Sequence, residues 1–346
     1  MTKSVLAGKT YIDLFAGIGG FHLGMESLGM DCVFASEWDK HAAAVYEKNF
    51  GLAPKGDITK IDAGDVPKHF MICGGFPCQA FSISGKRMGF ADTRGTLFFD
   101  VARIAKEHKP SVLFLENVRN FAQHDGGKTL KTVQSVLEDL GYVVFHKVIN
   151  AAAYGFATAR QRIYIVAFRE DLGVEPGTGF AFPSPAGPAP ALRGFLEPVV
   201  ALADVKVEKP AAMAAGKGSA AAIAAFRAKR PASPIRIGTI AGGGQGDRIY
   251  SIDGPAITLS AYGGGNAAKT GAYLVDGVVR KLTPRECANI MGFPATFKIP
   301  TKNNQAYKQF GNSVVVGVIK AIGAQIDLAL IAAAQKKKPS KASAKA

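Results

Sequence analysis

The segment Gly74-Gly-Phe-Pro-Cys-Gln-Ala-Phe-Ser82 carries a cysteine directly after a proline, on a glycine-bearing turn that follows the apolar run His69-Phe-Met-Ile-Cys73. A thiol held on a rigid turn at the end of a buried strand sits where α/β enzymes place a nucleophile. Glu116-Asn-Val118 follows a second apolar run, Ser111-Val-Leu-Phe-Leu115. Cys78 and Glu116 are therefore expected at the ends of two neighbouring parallel strands, the edge where open parallel sheets build active sites. Arg160 and Arg162 flank Gln161 just before a further strand-like run. The period of two in a strand points both guanidinium groups the same way.

A second constellation suits a nucleoside. Asp13-Leu-Phe-Ala-Gly-Ile-Gly-Gly20 lies between the first expected strand and the first expected helix, and its glycines let the backbone approach a ligand closely. Glu37, twenty residues past Gly17 and at the end of the second strand, is placed to bind the two hydroxyls of a ribose. Trp38, the only tryptophan, offers a ring to a purine. Asp57 lies where a third strand end would present a carboxylate to an adenine amino group. The spacing Gly17-x-Gly19-Gly20 departs from Gly-x-Gly-x-x-Gly, which favours a nucleoside without phosphates over a dinucleotide.

The elements that must carry these groups follow from the alternation of apolar runs and helical patterns up to about Phe168. Strands are predicted at Thr10–Leu14, Cys32–Ser36, Phe70–Cys73, Val112–Leu115, Tyr142–Val148 and Arg162–Phe168. Helices are predicted at Phe21–Leu28, Lys40–Asn49, Leu97–His108 and Thr129–Leu140. This order argues for an α/β, doubly wound, mostly parallel sheet. The proline-rich stretch Phe180–Pro190 ends the pattern. The alanine- and lysine-rich stretch Val205–Arg230 reads as either a mobile linker or a loosely docked helix. From Pro234 to Val279 short β-prone pieces alternate with glycine clusters, the texture of a small glycine-rich β domain. A helix over Pro284–Met291, with Thr283 as N-cap and Pro284 in its first turn, precedes a long helix expected from Gly311 to about Ala334.

The chain has 346 residues and a net charge of +15, of which Lys336, Lys337, Lys338, Lys341 and Lys345 contribute five. The remaining field attracts polyanions, with nucleic acid the default candidate. No run approaches the ~20 consecutive apolar residues that a membrane span needs. The first residues lack the apolar stretch of a secretory signal, so a cytosolic protein is expected. Cys32, Cys73, Cys78 and Cys287 form no Cys-x-x-Cys pair, and no metal site is expected. Cys32, Cys73 and Cys287 are read as packed thiols.

Taken in order, these blocks resemble the DNA (cytosine-5)-methyltransferases, and among them the bacterial modification enzymes of the HhaI type. The matching blocks are Asp13–Gly20, Ser36–Asp39, Gly75–Gln79, Glu116–Val118, Arg160–Tyr164, Leu282–Cys287 with Met291–Pro294, and Tyr307–Ser313. Gly243–Ser251 and Ala256–Gly265 resemble the recognition loops of that type. The alanine-rich stretch, the lysine tail and Asn266-Ala267 depart from the pattern.

The resemblance implies a Rossmann-like methyltransferase fold with S-adenosylmethionine as methyl donor, S-adenosylhomocysteine as product, and no metal. Its cofactor site would comprise Phe15, Ala16, Gly17, Ile18, Gly20, Glu37, Trp38, Asp57, Ile58, Gly75, Pro77, Leu97, Asn312, Ser313 and Val314. Cys78 would attack C6 of cytosine as a thiolate and make C5 nucleophilic. Glu116 would bond N3 and the exocyclic amine, which requires a raised pKa. Arg162 would orient Glu116 and the base, while Arg160 would hold the phosphate backbone or the base. The target base must leave the duplex. Gln245 would fill the vacated space, Ser84 would enter from the other side, and Arg248 would read guanine. Thr258, Ser260 and Tyr262 would line the target strand, and the implied target is the inner cytosine of GCGC.

The implied organisation is a catalytic domain over 1–192, a target-recognition domain over 193–283, a hinge over 284–310, a closing helix over 311–335 and a disordered basic tail over 336–346. Double-stranded DNA is the expected partner of a monomer, and a separately encoded restriction endonuclease is a further partner such an enzyme suggests. Two rivals stay open at this point. One is a tRNA cytosine-5 methyltransferase of the same fold, and the other is a DNA-binding protein that keeps the fold without the chemistry.

Overall fold

The computed structural model describes residues 4–77, 97–198, 200–208, 211–214, 216–240, 245–262, 267, 269–300 and 302–337. Cys78 and Ser84 lie outside the described residues, as do 338–346 of the tail.

The first strands and helices follow the apolar alternation closely. They are β1 (Thr10–Leu14), α1 (Gly20–Glu26), β2 (Asp31–Ser36), α2 (Lys40–Phe50), β3 (Met71–Gly75), α3 (Leu97–His108), β4 (Val112–Val118), α4 (Lys128–Asp139) and β5 (Tyr142–Asn150). A short β6 (Thr158–Ala159) and the long β7 (Gln161–Arg169) complete the large lobe. Its six-stranded sheet runs β2-β1-β3-β4-β7-β5. The first four strands are mutually parallel and β7 is antiparallel to both neighbours. Met71, Ile72 and Cys73 on β3, and Val112 to Leu115 on β4, are buried on both faces, as strands covered by helices on either side must be.

The reversed β7 has a functional consequence. Parallel strands send their carboxyl ends to one edge, and an antiparallel neighbour brings its amino end there. Val118 therefore faces Arg162 across the ladder, and Glu116 faces Tyr164.

The second lobe comprises β8 (Ala211–Met213), α5 (Ala220–Lys229), β9 (Arg236–Ile240), β10 (Arg248–Ser251), β12 (Ala272–Val275) and β13 (Val278–Arg280), with β11 (Ala256–Ile257) between β10 and β12 in the chain. Five of these strands form a sheet ordered β13-β12-β10-β9-β8, whereas β11 leaves it to pair in parallel with β6 of the large lobe. The alanine-rich stretch holds the strand β8 and then, over Ala220–Lys229, the helix α5. Ser219 caps α5, and Ile223 and Phe226 pack against the cluster formed by Ile235, Ile237, Ile240 and Ile249.

Two further helices return to the large lobe. In α6 (Pro284–Met291), Thr283 and Glu286 form a reciprocal capping box and Pro284 occupies the first turn, as the sequence predicts. The expected single helix from Gly311 is instead two, α7 (Asn303–Asn312) and α8 (Val316–Lys337), broken where Ser313 turns extended. At the break, Arg160 draws the carbonyls of Gly311 and Ser313 out of helical pairing. α8 also runs through Lys337, two residues into the expected tail. Lysines suit a helix C-terminus, and Lys337 Nζ donates to the Asp171 carbonyl. The apolar face of α8 packs on α1, with Val318, Ile319, Ile322 and Ile326 buried.

Candidate active site

The loop between β1 and α1 is built by backbone conformation. Phe15, Gly17 and Gly19 have φ of 57°, 56° and 84°, which turns the chain sharply between strand and helix. Gly17 also has open space where a Cβ would stand. The loop is tied to β2, since Ala16 N–H donates to the Ser36 carbonyl at 2.9 Å and Gly17 N–H to Glu37 Oε2 at 2.8 Å. The other Glu37 oxygen accepts from Asp39 N–H at 2.7 Å. Burial raises the Glu37 pKa, opposed by these amide donors. Glu37 thus braces the glycine loop while keeping lone pairs free for hydroxyl groups.

Trp38 projects beside it with 79% of its surface exposed, a large flat ring with little protein covering it. Asp39 caps α2 and pairs with Lys308 Nζ on α7 at 2.8 Å. Lys308 was not singled out among the sequence candidates, and its place inside the Tyr307–Ser313 block is the signal that marks it. Asp57 caps the turn Ile58–Lys60, and Ile58 is buried. Leu97 opens α3, Pro77 is exposed, and Gly75 lies opposite Glu116 in the ladder. Ile18 and Gly20 are buried, Asn312 is exposed, and Ser313 and Val314 are buried at the break between α7 and α8.

The second constellation lies on the same sheet edge. Glu116 is 7% exposed, and Arg162 Nε stands 2.9 Å from its Oε1 without the alignment of a full hydrogen bond. The two residues form a diagonal cross-strand pair on one face of β4 and β7. Burial raises the Glu116 pKa, and the positive charges of Arg162 and Arg160 partly oppose it. A carboxyl so placed can hold a proton at higher pH than a solvated glutamate. Asn117 Nδ2 donates to the Phe76 carbonyl at 2.8 Å, fixing the backbone just before Pro77 to the end of β4. Arg119, which the sequence candidates omit, reaches Gln161 Oε1 at 2.7 Å on the same rim.

Arg160, expected to hold the phosphate backbone or the base, is only 3% exposed and turns its terminal nitrogens to backbone carbonyls. Nη1 donates to the Leu259 carbonyl at 3.1 Å, and Nη2 donates to the carbonyls of Gly311 and Ser313. A guanidinium reaching three distant carbonyls cannot be foreseen from a pattern of alternating residues.

The recognition candidates lie on the second lobe and its link to β6. Gln245 opens the turn Gln245–Asp247, directly before β10. Arg248 begins β10 half-buried, with no partner for its Nε. The Thr258 hydroxyl donates to the Ala159 carbonyl at 2.8 Å, and the Ser260 hydroxyl to the Tyr262 carbonyl. Tyr262 is 73% exposed. Cys73 and Cys287 are fully buried, and Cys32 packs against Tyr46.

The C-5 cytosine-specific DNA methylase family matches residues 9–327. The Type II methyltransferase M.HhaI of Haemophilus parahaemolyticus is 49% identical over 325 residues, covering 94% of this chain and 96% of that one. The Type II methyltransferase M.HpaII of Haemophilus parainfluenzae is 43% identical over 336 residues, covering 92% and 88%. Among solved structures, the S. pombe Dnmt2 methyltransferase superposes with a TM-score of 0.68 at 20% identity, over 94% of this chain and 99% of that one. The Entamoeba histolytica methyltransferase EhMeth gives 0.65 at 18% identity, over 96% and 99%. These two similarities concern the fold.

Proposed function

Since the chain belongs to the C-5 cytosine-specific DNA methylase family and is a DNA cytosine-5-methyltransferase, we propose that it works through a covalent adduct between Cys78 and cytosine C6, at the inner cytosine of GCGC. The observation that carries this reading is the buried Glu116 carboxyl, raised by burial and faced by Arg162, at the sheet edge where the Phe76-Pro77 segment ends.

S-adenosylmethionine supplies the methyl group when bound. The residues present fit it. The glycine loop leaves room at Gly17, Glu37 presents carboxylate lone pairs beside it, and exposed Trp38 offers a stacking face. Buried Ser36 Oγ at the end of β2 has no protein partner, a polar group awaiting one. Asp57, Leu97 and Asn312 complete the proposed site.

In the proposed chemistry the Cys78 thiolate bonds to C6, and the electron pair of the C5–C6 double bond moves to C5. Glu116 holds a proton at N3 and so favours that shift, while Arg162 orients Glu116 and the base oxygen. The C5 carbon would take the methyl group as that group's bond to the donor's sulfonium sulfur breaks, leaving S-adenosylhomocysteine. Loss of the C5 proton to a base then restores the double bond and expels the Cys78 thiolate. The target nucleotide is extruded at a cost of a few kcal/mol. Arg248 reads guanine, Gln245 and Ser84 fill the gap, and Thr258, Ser260 and Tyr262 contact the target strand. The identity to M.HhaI over almost the whole of both chains supports the GCGC assignment. We place the enzyme in the bacterial cytosol as a monomer. Its Type II relatives make a separately encoded endonuclease of the same target the partner to seek.

Bisulfite sequencing of plasmid DNA, after incubation with the enzyme and S-adenosylmethionine, tests this. Protection confined to the inner cytosine of GCGC is the expected result. Protection at another sequence would overturn the recognition assignments alone, and protection of tRNA but not DNA would overturn the substrate. Cys78→Ser should abolish methylation while DNA binding persists.

A further inference from the structure

Arg160 is a buried cation whose nearest hydrogen-bond partners are not carboxylates. Its guanidinium donates to Leu259, Gly311 and Ser313, three carbonyls that lie 99, 151 and 153 residues along the chain. Burial lowers its pKa to about 9, with the neighbouring Arg162 charge adding and Glu116 opposing. Carrying a desolvated charge is expensive unless its donors are matched, and here both terminal nitrogens are matched while the buried Nε is not. A planar fork of donors can reach three carbonyls at fixed positions, which a lysine ammonium on a flexible stem cannot reproduce.

The segments it joins are otherwise held by close backbone approach. A Cβ on Gly311 would stand 2.3 Å from Ala261 N and 2.4 Å from Ser260 C, so α7 ends in direct backbone contact with the recognition segment after β11. On the opposite side, a Cβ on Gly20 would stand 2.6 Å from Val314 Cγ2 and 2.9 Å from Ser313 Oγ. The break between α7 and α8 is thus packed between the start of α1, directly after the glycine loop, and the segment that carries Ser260 and Tyr262. Arg160 sits at that junction, two residues before the Arg162 that faces Glu116.

We infer that Arg160 is a positioning residue that locks the cofactor-side segment Gly311–Val314 to the recognition segment Leu259–Ala261, so that cofactor and target DNA bind cooperatively through it. This inference rests on the cofactor and DNA sites assigned under Proposed function. Tight packing transmits a displacement on one side of such a junction to the other, because neither backbone can yield independently. A merely structural arginine would instead, when replaced, weaken the fold and leave the interaction between the two ligands as it was.

The experiment measures the affinity of S-adenosylhomocysteine for the full chain, with and without saturating duplex containing the target, in the wild type and in Arg160→Lys. Trp38, the only tryptophan and an exposed one, reports cofactor binding by fluorescence. In the wild type the duplex should tighten the cofactor at least about 5-fold, and the cofactor should tighten the duplex by the same factor, as reciprocity requires. In Arg160→Lys both ligands should still bind, with that factor reduced to less than about 2. Gly311→Ala, which pries the same backbones apart, should do the same and serves if Arg160→Lys does not fold. An unchanged factor in a folded variant overturns the inference, including the case where both affinities fall together. So does a wild type that binds both ligands with no mutual effect. A wild type that binds neither ligand would overturn the methyltransferase site assignments themselves, a distinguishable failure.

Discussion

Replacing Glu116 with glutamine separates the chemistry of the site from its stability. Glutamine has the shape of glutamate, so the packing of β4 against β3 and β7 is preserved. The structure sets the stability change. The carboxyl is almost fully buried, and burial already disfavours its charged form. Neutralising it relieves desolvation and loses the charge attraction of Arg162 across 2.9 Å, while the amide oxygen keeps its dipole towards that guanidinium. Arg162 keeps some solvent contact, its side chain being 13% exposed, so it is not left as a sealed charge. The net change should not exceed about 2 kcal/mol, because the lost ion-pair attraction and the relieved burial of a carboxylate charge oppose each other. The rate is a different matter. An amide cannot pass a proton to N3, and a positioned acid contributes roughly 10²- to 10⁴-fold. At about 1.4 kcal/mol per decade, that is about 3 to 5 kcal/mol of barrier. Single-turnover methyl transfer from tritiated S-adenosylmethionine, with enzyme in excess over DNA, reads the barrier, and urea denaturation reads the stability. A single-turnover rate within about tenfold of wild type in a normally folded Glu116→Gln would refute the proton-holding role of Glu116.

The remaining expectations concern buried polar groups outside the chemistry. His22, packed on Phe50 and bonded to Tyr46 at 2.7 Å, has its pKa lowered by burial to about 4. Its contribution is therefore complete above pH 6.5 and is lost as the pH falls towards 4, by up to about 3 kcal/mol. Denaturation curves at pH 7 and pH 4.5 should show His22→Gln less acid-sensitive than wild type, and equal acid sensitivity would remove His22 as a cause. Arg280 and Glu286 are 3% and 0% exposed and join β13 to α6 through two bonds of 2.8 and 2.7 Å. Arg280→Met should cost about 3 to 5 kcal/mol by stranding the Glu286 carboxylate. Adding Glu286→Leu should not double the loss, and strict additivity in a double-mutant cycle would show the pair to be uncoupled.

The second lobe is not held to the large one by its connections alone. Because β11 leaves the small sheet to pair with β6, the segment that follows it is anchored to the large lobe before it reaches Ser260 and Tyr262. Ala256 and Leu259 are buried in the same apolar cluster as Phe114 and Tyr164 of the central sheet. A segment mounted this way is held to the central sheet by a shared core rather than by its own lobe alone.

What the sequence determined by itself is whatever depends on near neighbours. The strand and helix alternation, the capping of α6 by Thr283, Pro284 and Glu286, and the turn at Gly17 and Gly19 are all written in short stretches whose periodicity or backbone demands are local. Family resemblance extended that reach to the expectation that Glu116 and Arg162 lie together, and the structure places them 2.9 Å apart. Tertiary structure decided the rest. Arg160 and Arg162 look alike on a strand of period two, yet one meets Glu116 and the other three backbone carbonyls. The break between α7 and α8 falls in Gly311-Asn-Ser-Val-Val315, a run of weak helix formers that permits a break without specifying where the chain turns extended, and the structure puts that turn at Ser313, whose carbonyl accepts from Arg160. In both cases the partner lies far along the chain, so the contact that decides the local geometry forms only after folding and leaves no mark in the neighbouring sequence.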